Sequence, residues 1–141
     1  MKNAAYVDGS YNTITKTCGA GVILYDQYGN HLKFTNSTEE EGFASMRNVG
    51  GEILAAEAAI KVALGLSMKF LTIYHDYAGI EKWVTGEWQA KNNYTLGYRN
   101  VVFDAMKNGL QIRFEKVKAH SGDKLNDEAD KLAKEACSVI A

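Results

Sequence analysis

The chain has no proline in its 141 residues, so no turn is pre-set by a fixed φ, and its 13 glycines do nearly all the punctuation. Cysteine is almost absent. Cys18 and Cys137 lie far apart without CxxC or other ligand spacing, which excludes a disulfide scaffold and points to reduced thiols in a cytoplasmic protein. No stretch approaches the roughly 18 apolar residues of a membrane span, and the N-terminus has no basic-then-apolar leader, so no membrane partner is expected. An excess of one charge sign is missing too. Sixteen basic and 17 acidic residues leave a net charge of -1, so any nucleic-acid affinity must come from local geometry or a metal rather than a positive surface. There is no repeat, low-complexity tract or linker, and 46% hydrophobic content suffices for one packed core. A single domain over residues 1–141, acting as a monomer, is expected.

The pattern that is present predicts the order βββαβααβα. Lys2 to Val7 reads as a buried strand ending at Asp8-Gly9-Ser10, and residues 11 to 17 as a turn. Cys18 to Tyr25 is a second strand whose glycines allow close backbone approach; Asp26 to Asn30 is a hairpin turn into a third strand, His31 to Asn36. Ser37 to Gly51 reads as a polar loop before an amphipathic helix from Glu52, with apolar residues at 53, 56, 60, 63 and 64. Phe70 to Tyr74 is a short buried strand with His75-Asp76 at its end. Gly79 to Trp88 and Tyr94 to Met106 read as helices around a polar turn, Ala90 to Asn93, and Gln111 to Lys118 as a β-like run. Lys124 to Cys137 is a last helix that places Asn126 and Asp130 one turn apart on one face. The mixture predicts an α/β domain: one five-stranded mixed sheet, an antiparallel three-strand meander joined to two parallel strands, flanked by helices.

Four acids stand at strand ends or in core-seeking helices: Asp8, Glu52, Asp76 and Asp130. The carboxyl ends of adjacent strands form the ligand crevice of α/β sheets, so Asp8 and Asp76 are expected to converge there, with helices supplying Glu52 and Asp130. Crowded carboxylates repel unless a cation lies between them, and all-oxygen ligation suits Mg²⁺ or Mn²⁺ rather than Zn²⁺. Two such ions about 4 Å apart would suit phosphodiester hydrolysis.

Taken in order, Tyr6-Val7-Asp8-Gly9-Ser10, Gly51-Glu52-Ile53-Leu54-Ala55-Ala56, Ile73-Tyr74-His75-Asp76, and Val117-Lys118-Ala119-His120-Ser121-Gly122 with Asn126 and Ala129-Asp130-Lys131-Leu132-Ala133 resemble type 1 ribonuclease H over nearly the whole chain. The segment HDYAGIEKWVTGEWQAKNNYTLGY is similar to the bacterial subgroup often fused to a viroplasmin-like hybrid-binding domain, a domain not expected here. The resemblance implies a ribonuclease H-like fold and endonucleolytic cleavage of the RNA strand of RNA/DNA hybrids, giving 5′-phosphate and 3′-hydroxyl ends. It implies two Mg²⁺ ions, Mn²⁺ being a substitute, with Asp8 shared by both, Asp130 completing one and Glu52 with Asp76 holding the other. His120 takes the place of the family's loop His, which is linked to proton transfer or product release, and Asn126 that of a further polar active-site residue. Asn48 matches a minor-groove contact that reads the 2′-hydroxyl. Gly9 and Ser10 are expected to let the backbone approach the RNA strand, and Ser121 and Asn93 to grip a DNA-strand phosphate.

Simpler readings exist for several of these residues. A single Asp at a strand end is usually a turn or cap residue, and Glu52 suits a first-turn position favoured by the helix dipole. Asp127 rivals Asp130, but Ala129 and Leu132-Ala133 favour Asp130; Asp123 and Asp127 are expected to be solvated. His75 reads as structural or partly exposed, His31 as surface, Glu39-Glu40-Glu41 as a solvated loop, and Trp83 and Trp88 as packing with Tyr94 and Tyr98. The main rival is a catalytically weak or silent hybrid-binding module on the same fold. A 3′-5′ exonuclease is disfavoured because Asp8-Gly9-Ser10 lacks a D-x-E opening.

Two departures from the family pattern bear on affinity. Arg47 stands where Thr is common, and Gly79 to Asn93, where free-standing members carry a basic protrusion, balances Glu81 and Glu87 against Lys82 and Lys91. With few phosphate contacts available, hybrid binding should be weak and steeply salt-dependent. A titration of hybrid duplex against salt checks this; a low-nanomolar dissociation constant at physiological salt contradicts it.

Overall fold

The computed structural model describes residues 1–118 and 122–138. Five strands, β1 (Ala4–Asn12), β2 (Thr17–Tyr25), β3 (His31–Thr38), β4 (Phe70–His75) and β5 (Gln111–Lys116), form one sheet in the order β3-β2-β1-β4-β5. β1, β2 and β3 pair antiparallel, while β4 runs parallel to both β1 and β5, as the sequence predicts. The helices are α1 (Glu41–Ala44), α2 (Asn48–Gly65), α3 (Gly79–Thr85), α4 (Asn93–Lys107) and α5 (Lys124–Cys137). No helix among the described residues is long and apolar enough to cross a membrane.

Several boundaries differ from expectation: α3 ends at Thr85, before a left-handed Gly86, rather than at Trp88, β5 ends at Lys116, β3 runs on to Thr38, and the larger differences lie around β1 and α2. β1 does not stop at Asp8: its parallel pairing with β4 ends at Tyr6↔Tyr74, but its antiparallel pairing with β2 continues to Asn12↔Thr17. Asp8 therefore sits just past the point where β1 and β4 part. The turn shrinks to Thr13 to Lys16, closed by the Asn12 side chain, which accepts from the amides of Ile14 and Thr15. The expected loop up to Gly51 holds the one-turn helix α1, and α2 begins four residues before Glu52.

Alternation along β1 sends successive side chains to opposite faces. Val7 joins the larger core, where Ile53, Ala56, Ile60, Leu71, Ile73, Tyr98 and Val102 are fully buried between the sheet, α2 and α4. Tyr6 joins Ile23 and Ala129 in a second cluster under α5, with Tyr25, Tyr74, Val117, Leu125 and Leu132 against it. α2 is rich in alanine, which favours helix and keeps its buried face thin. α4 is fixed at its start by a reciprocal cap, Asn92 accepting from Thr95 N while Thr95 Oγ1 accepts from Asn92 N.

Close approach of helix to strand sets the depth of both layers. A Cβ at Gly9 would overlap the amide nitrogen of Glu52 and the carbonyl oxygen of Asn48, so the first turns of α2 lie directly on β1. On the other face, Cβ atoms at Gly19 and Gly21 would overlap the carbonyl oxygens of Ala133 and Ala129, so α5 lies equally close on β2. The missing side chain of Gly9 makes room for α2.

Gly9→Ala should therefore destabilise the protein by about 1–3 kcal/mol or more through overpacking against rigid backbone. Gly97→Ala, in the middle of α4 with nothing within 4 Å of the added methyl, should stabilise by about 0.5–1 kcal/mol. Urea denaturation of the two variants checks the contrast.

Candidate active site

The parting of β1 from β4 leaves a cleft, and three acids face it. Asp8 comes from β1, Asp76 directly follows β4, and Glu52 reaches over from α2; one ligand oxygen from each lies within 4.8 Å of the others. Asp8 and Glu52 are buried, at 5% and 3% exposure, while Asp76 is half-buried. Asp130, on the buried side of α5, lies within proton-sharing reach of Asp8. The four predicted acids thus meet at one place.

The simpler readings of two of them fail on position. Asp8 is inside a strand rather than at a turn, and its Oδ1 accepts the adjacent Gly9 amide at 2.9 Å. Glu52 stands a full turn inside α2, beyond the first turn where the helix dipole favours an acid.

Burial and mutual repulsion shape the protonation of the cluster. Asp8 is pushed up to about 7, first by desolvation and next by the charge of Asp76. Glu52 is held well above the usual carboxylate range by burial, then by Asp8 and Asp76. Asp8 thus has Glu52 and Asp130 within hydrogen-bonding reach on either side. The Lys134 ammonium, one turn further along α5, lies 2.9 Å from Asp130 Oδ2. Glu52 Oε1 is left buried with no hydrogen-bond partner among the described residues. An orphaned buried carboxylate oxygen facing two further carboxylates fits a cation, and an all-oxygen donor set suits a hard divalent one.

The remaining predicted residues fall into three groups. Asn126 is buried at 2% exposure on the α5 face carrying Asp130, with its Oδ1 unpartnered among the described residues. Ser10 is two positions beyond Asp8 on the same strand face. Asn48 and Asn93 are exposed at the starts of α2 and α4, and these starts are neighbours: Asn92 Nδ2 donates to Met46 Sδ at 3.7 Å, and Phe43 meets the Tyr94 ring edge-on at 4.7 Å. His120 and Ser121 lie outside the described residues.

Packing corrects one expectation and refines others. Asp123 is not simply solvated: it caps α5, accepting from the amides of Leu125 and Asn126 at 3.1 and 3.2 Å, and its charge faces the Tyr6 hydroxyl. His75 fits its structural reading: it is fully buried, its Nδ1 is bonded to the Tyr77 carbonyl at 2.9 Å, and burial pulls its pKa down. Trp83 shares the larger core with Tyr98, as expected, and both tryptophans also meet the Tyr77 ring, while Trp88 stays 37% exposed under Lys82. Glu39 to Glu41 are exposed, as expected, and Glu39 and Glu40 also accept from Thr17 Oγ1 and the Tyr94 hydroxyl. Lys134 escaped sequence reasoning, although its i, i+4 spacing from Asp130 was a readable signal.

A family model described as RNase H matches residues 2–138. The chain belongs to the RNase H family. Among its RNase H relatives, the ribonuclease H of Shewanella denitrificans is 30% identical over 143 residues, covering 95% of this chain and 86% of its own. That of Acetivibrio thermocellus is 30% identical over 141 residues, covering 94% and 92%. Among solved structures, RNase H1 of Halobacterium salinarum superposes with a TM-score of 0.76 at 20% identity, covering 96% of this chain and 97% of that one. LC11-RNase H1, solved in complex with an RNA/DNA hybrid, gives 0.74 at 18% identity, covering 94% of both chains. These structures share the RNase H fold seen here.

The raised carboxyl at Asp8 makes stability pH-dependent. Between about 4, where Asp8 ionises in the unfolded chain, and about 7, where it ionises in the fold, the native state holds a proton that the unfolded state has lost. Stability of the metal-free protein should fall as pH rises through that window, and Asp8→Asn should flatten the fall and raise Tm at pH 7. Thermal melts in chelator from pH 5 to 8 measure both.

Proposed function

We propose that the chain is a divalent-metal-dependent endonuclease that hydrolyses the RNA strand of RNA/DNA hybrids, leaving 5′-phosphate and 3′-hydroxyl ends. The observation that carries this reading is the convergence of Asp8, Glu52 and Asp76 within 4.8 Å, with Asp130 beside Asp8, in a chain of the RNase H family. Mg²⁺ is the proposed ion, with Mn²⁺ as a substitute, because every donor in the cluster is a carboxylate oxygen. Bound there, a pair of such ions supplies Lewis-acid polarisation of the phosphate and a nucleophile at neutral pH.

The chain's own groups divide the remaining work. Asp8, central among the four acids, is the shared holder; Glu52 and Asp76 take one side and Asp130 the other. Each must give up any proton for a cation, so loading should release protons from Glu52 and Asp8. Asn126, buried one turn before Asp130, orients the water side of the site. His120 is assigned proton exchange at the leaving group by the family pattern. On the substrate, Asn48 offers an exposed amide to the minor groove, where a 2′-hydroxyl marks RNA, and Ser10 faces the same strand from β1. Asn93, with Ser121, is assigned to a DNA-strand phosphate. Arg47, exposed and lying over the Tyr11 ring at 5.6 Å, adds a guanidinium beside Asn48. Two free, buried thiols agree with an enzyme working in the reducing cytoplasm.

With Mg²⁺, the wild-type chain should cut a uniformly hybrid duplex and leave matched double-stranded and single-stranded RNA intact. Asp8→Asn should lower kcat by about a thousandfold or more, roughly 4 kcal/mol of transition-state stabilisation. Wild-type cleavage by the variant would sink the site, and hybrid binding without turnover in either metal would favour the silent-module reading.

A further inference from the structure

The carboxylate cluster already has one cation in contact with it. Lys134 Nζ lies 2.9 Å from Asp130 Oδ2, and the two side chains differ sharply in exposure, 60% for the lysine and 20% for the aspartate. The pair therefore reaches from solvent into the edge of the site. An ordinary i, i+4 pair on a helix surface joins two solvated groups and does little. Here the acid lies beside Asp8, which is 5% exposed, so the ammonium stands at the rim of a buried group of carboxylates.

We infer that Lys134 is a tethered counter-ion of the cluster, which a divalent cation must displace from Asp130, so that this lysine sets the metal affinity of the site. The inference rests on the proposed function only in taking Asp8 and Asp130 as cation holders. A metal ion held by these two residues needs the Asp130 oxygens, one of which the ammonium occupies. Two cations on one carboxylate repel, and near a low-dielectric wall that repulsion is little screened. Lysine suits the task because its charge is compact and its four-carbon stem is flexible, so the ammonium can leave without disturbing α5. Metal loading and release of Lys134 are then two sides of one coupling.

Calorimetric titration of the full, substrate-free chain with MnCl₂ and with MgCl₂, at fixed pH and ionic strength, tests this directly. Lys134→Met should bind the ion about three- to tenfold more tightly than wild type, as expected for removing one competing charge at contact distance. Lys134→Arg should stay close to wild type. Lys131→Met removes the same charge from an exposed position on the same helix, and should change affinity less than about twofold. In an Asp130→Asn background the gain from Lys134→Met should disappear. Equal affinities for wild type and Lys134→Met, equal gains from the two methionine variants, or a gain that survives Asp130→Asn each overturn the inference while leaving the metal site standing. Failure of every variant to bind either ion overturns the proposed function along with it.

Discussion

Carboxyl groups gathered where water is scarce repel one another, and this repulsion is the condition that the rest of the molecule is arranged to withstand. Asp8, Glu52 and Asp76 arrive from three separate elements, so no local preference of the chain brings them together. What holds them is packing at backbone distance: α2 lies against β1 at Gly9, and α5 against β2 at Gly19 and Gly21. The buried faces of both helices add apolar area that opposes the electrostatic cost.

The site is also a product of a defect in the sheet. β1 leaves β4 after Tyr6 but keeps its partner β2 to Asn12, and this one-sided pairing opens a cleft without exposing a long free edge. Just below the parting, the rings of Tyr6 and Tyr74 stack at 4.5 Å and 6° between planes, closing the floor of the cleft. Tyr6 precedes Asp8, and Tyr74 precedes Asp76, by two residues. The stack and the acids thus share a face of their strands.

Much of this was legible in the sequence, for reasons that differ between elements. The five strands, their mixed pairing and the span of α5 follow from apolar runs, β-favouring residues and turn signals, which act locally. The four acids were found because each broke an apolar pattern, and their order matched a family. What escaped depended on tertiary partners. Gly9-Ser10 reads as a strand terminator, yet β2 supplies hydrogen bonds that carry β1 through it. The start of α2 at Asn48 was hidden by a glycine pair that serves close packing rather than termination. Asp123 reads as a solvated acid until the α5 amides it caps are in place, and Trp88 as a core residue until Tyr77 and Trp83 fill the core side. His75, next to a site acid, is tied into the β4 end by the Tyr77 carbonyl and the Phe114 ring.

The contact at Gly9 has a consequence for how sequence change in this protein should be interpreted. The residue adjoins a site acid, and any side chain there would press on the backbone that carries another. Surveys of tolerated substitutions would therefore mark the position as invariant and rank it with the acids, although it has no side chain and the amide it offers to Asp8 is one that almost any residue would supply. Its intolerance is that of a spacer. Conservation beside an active site can record how closely two pieces of backbone must lie, and no chemistry need be sought in it.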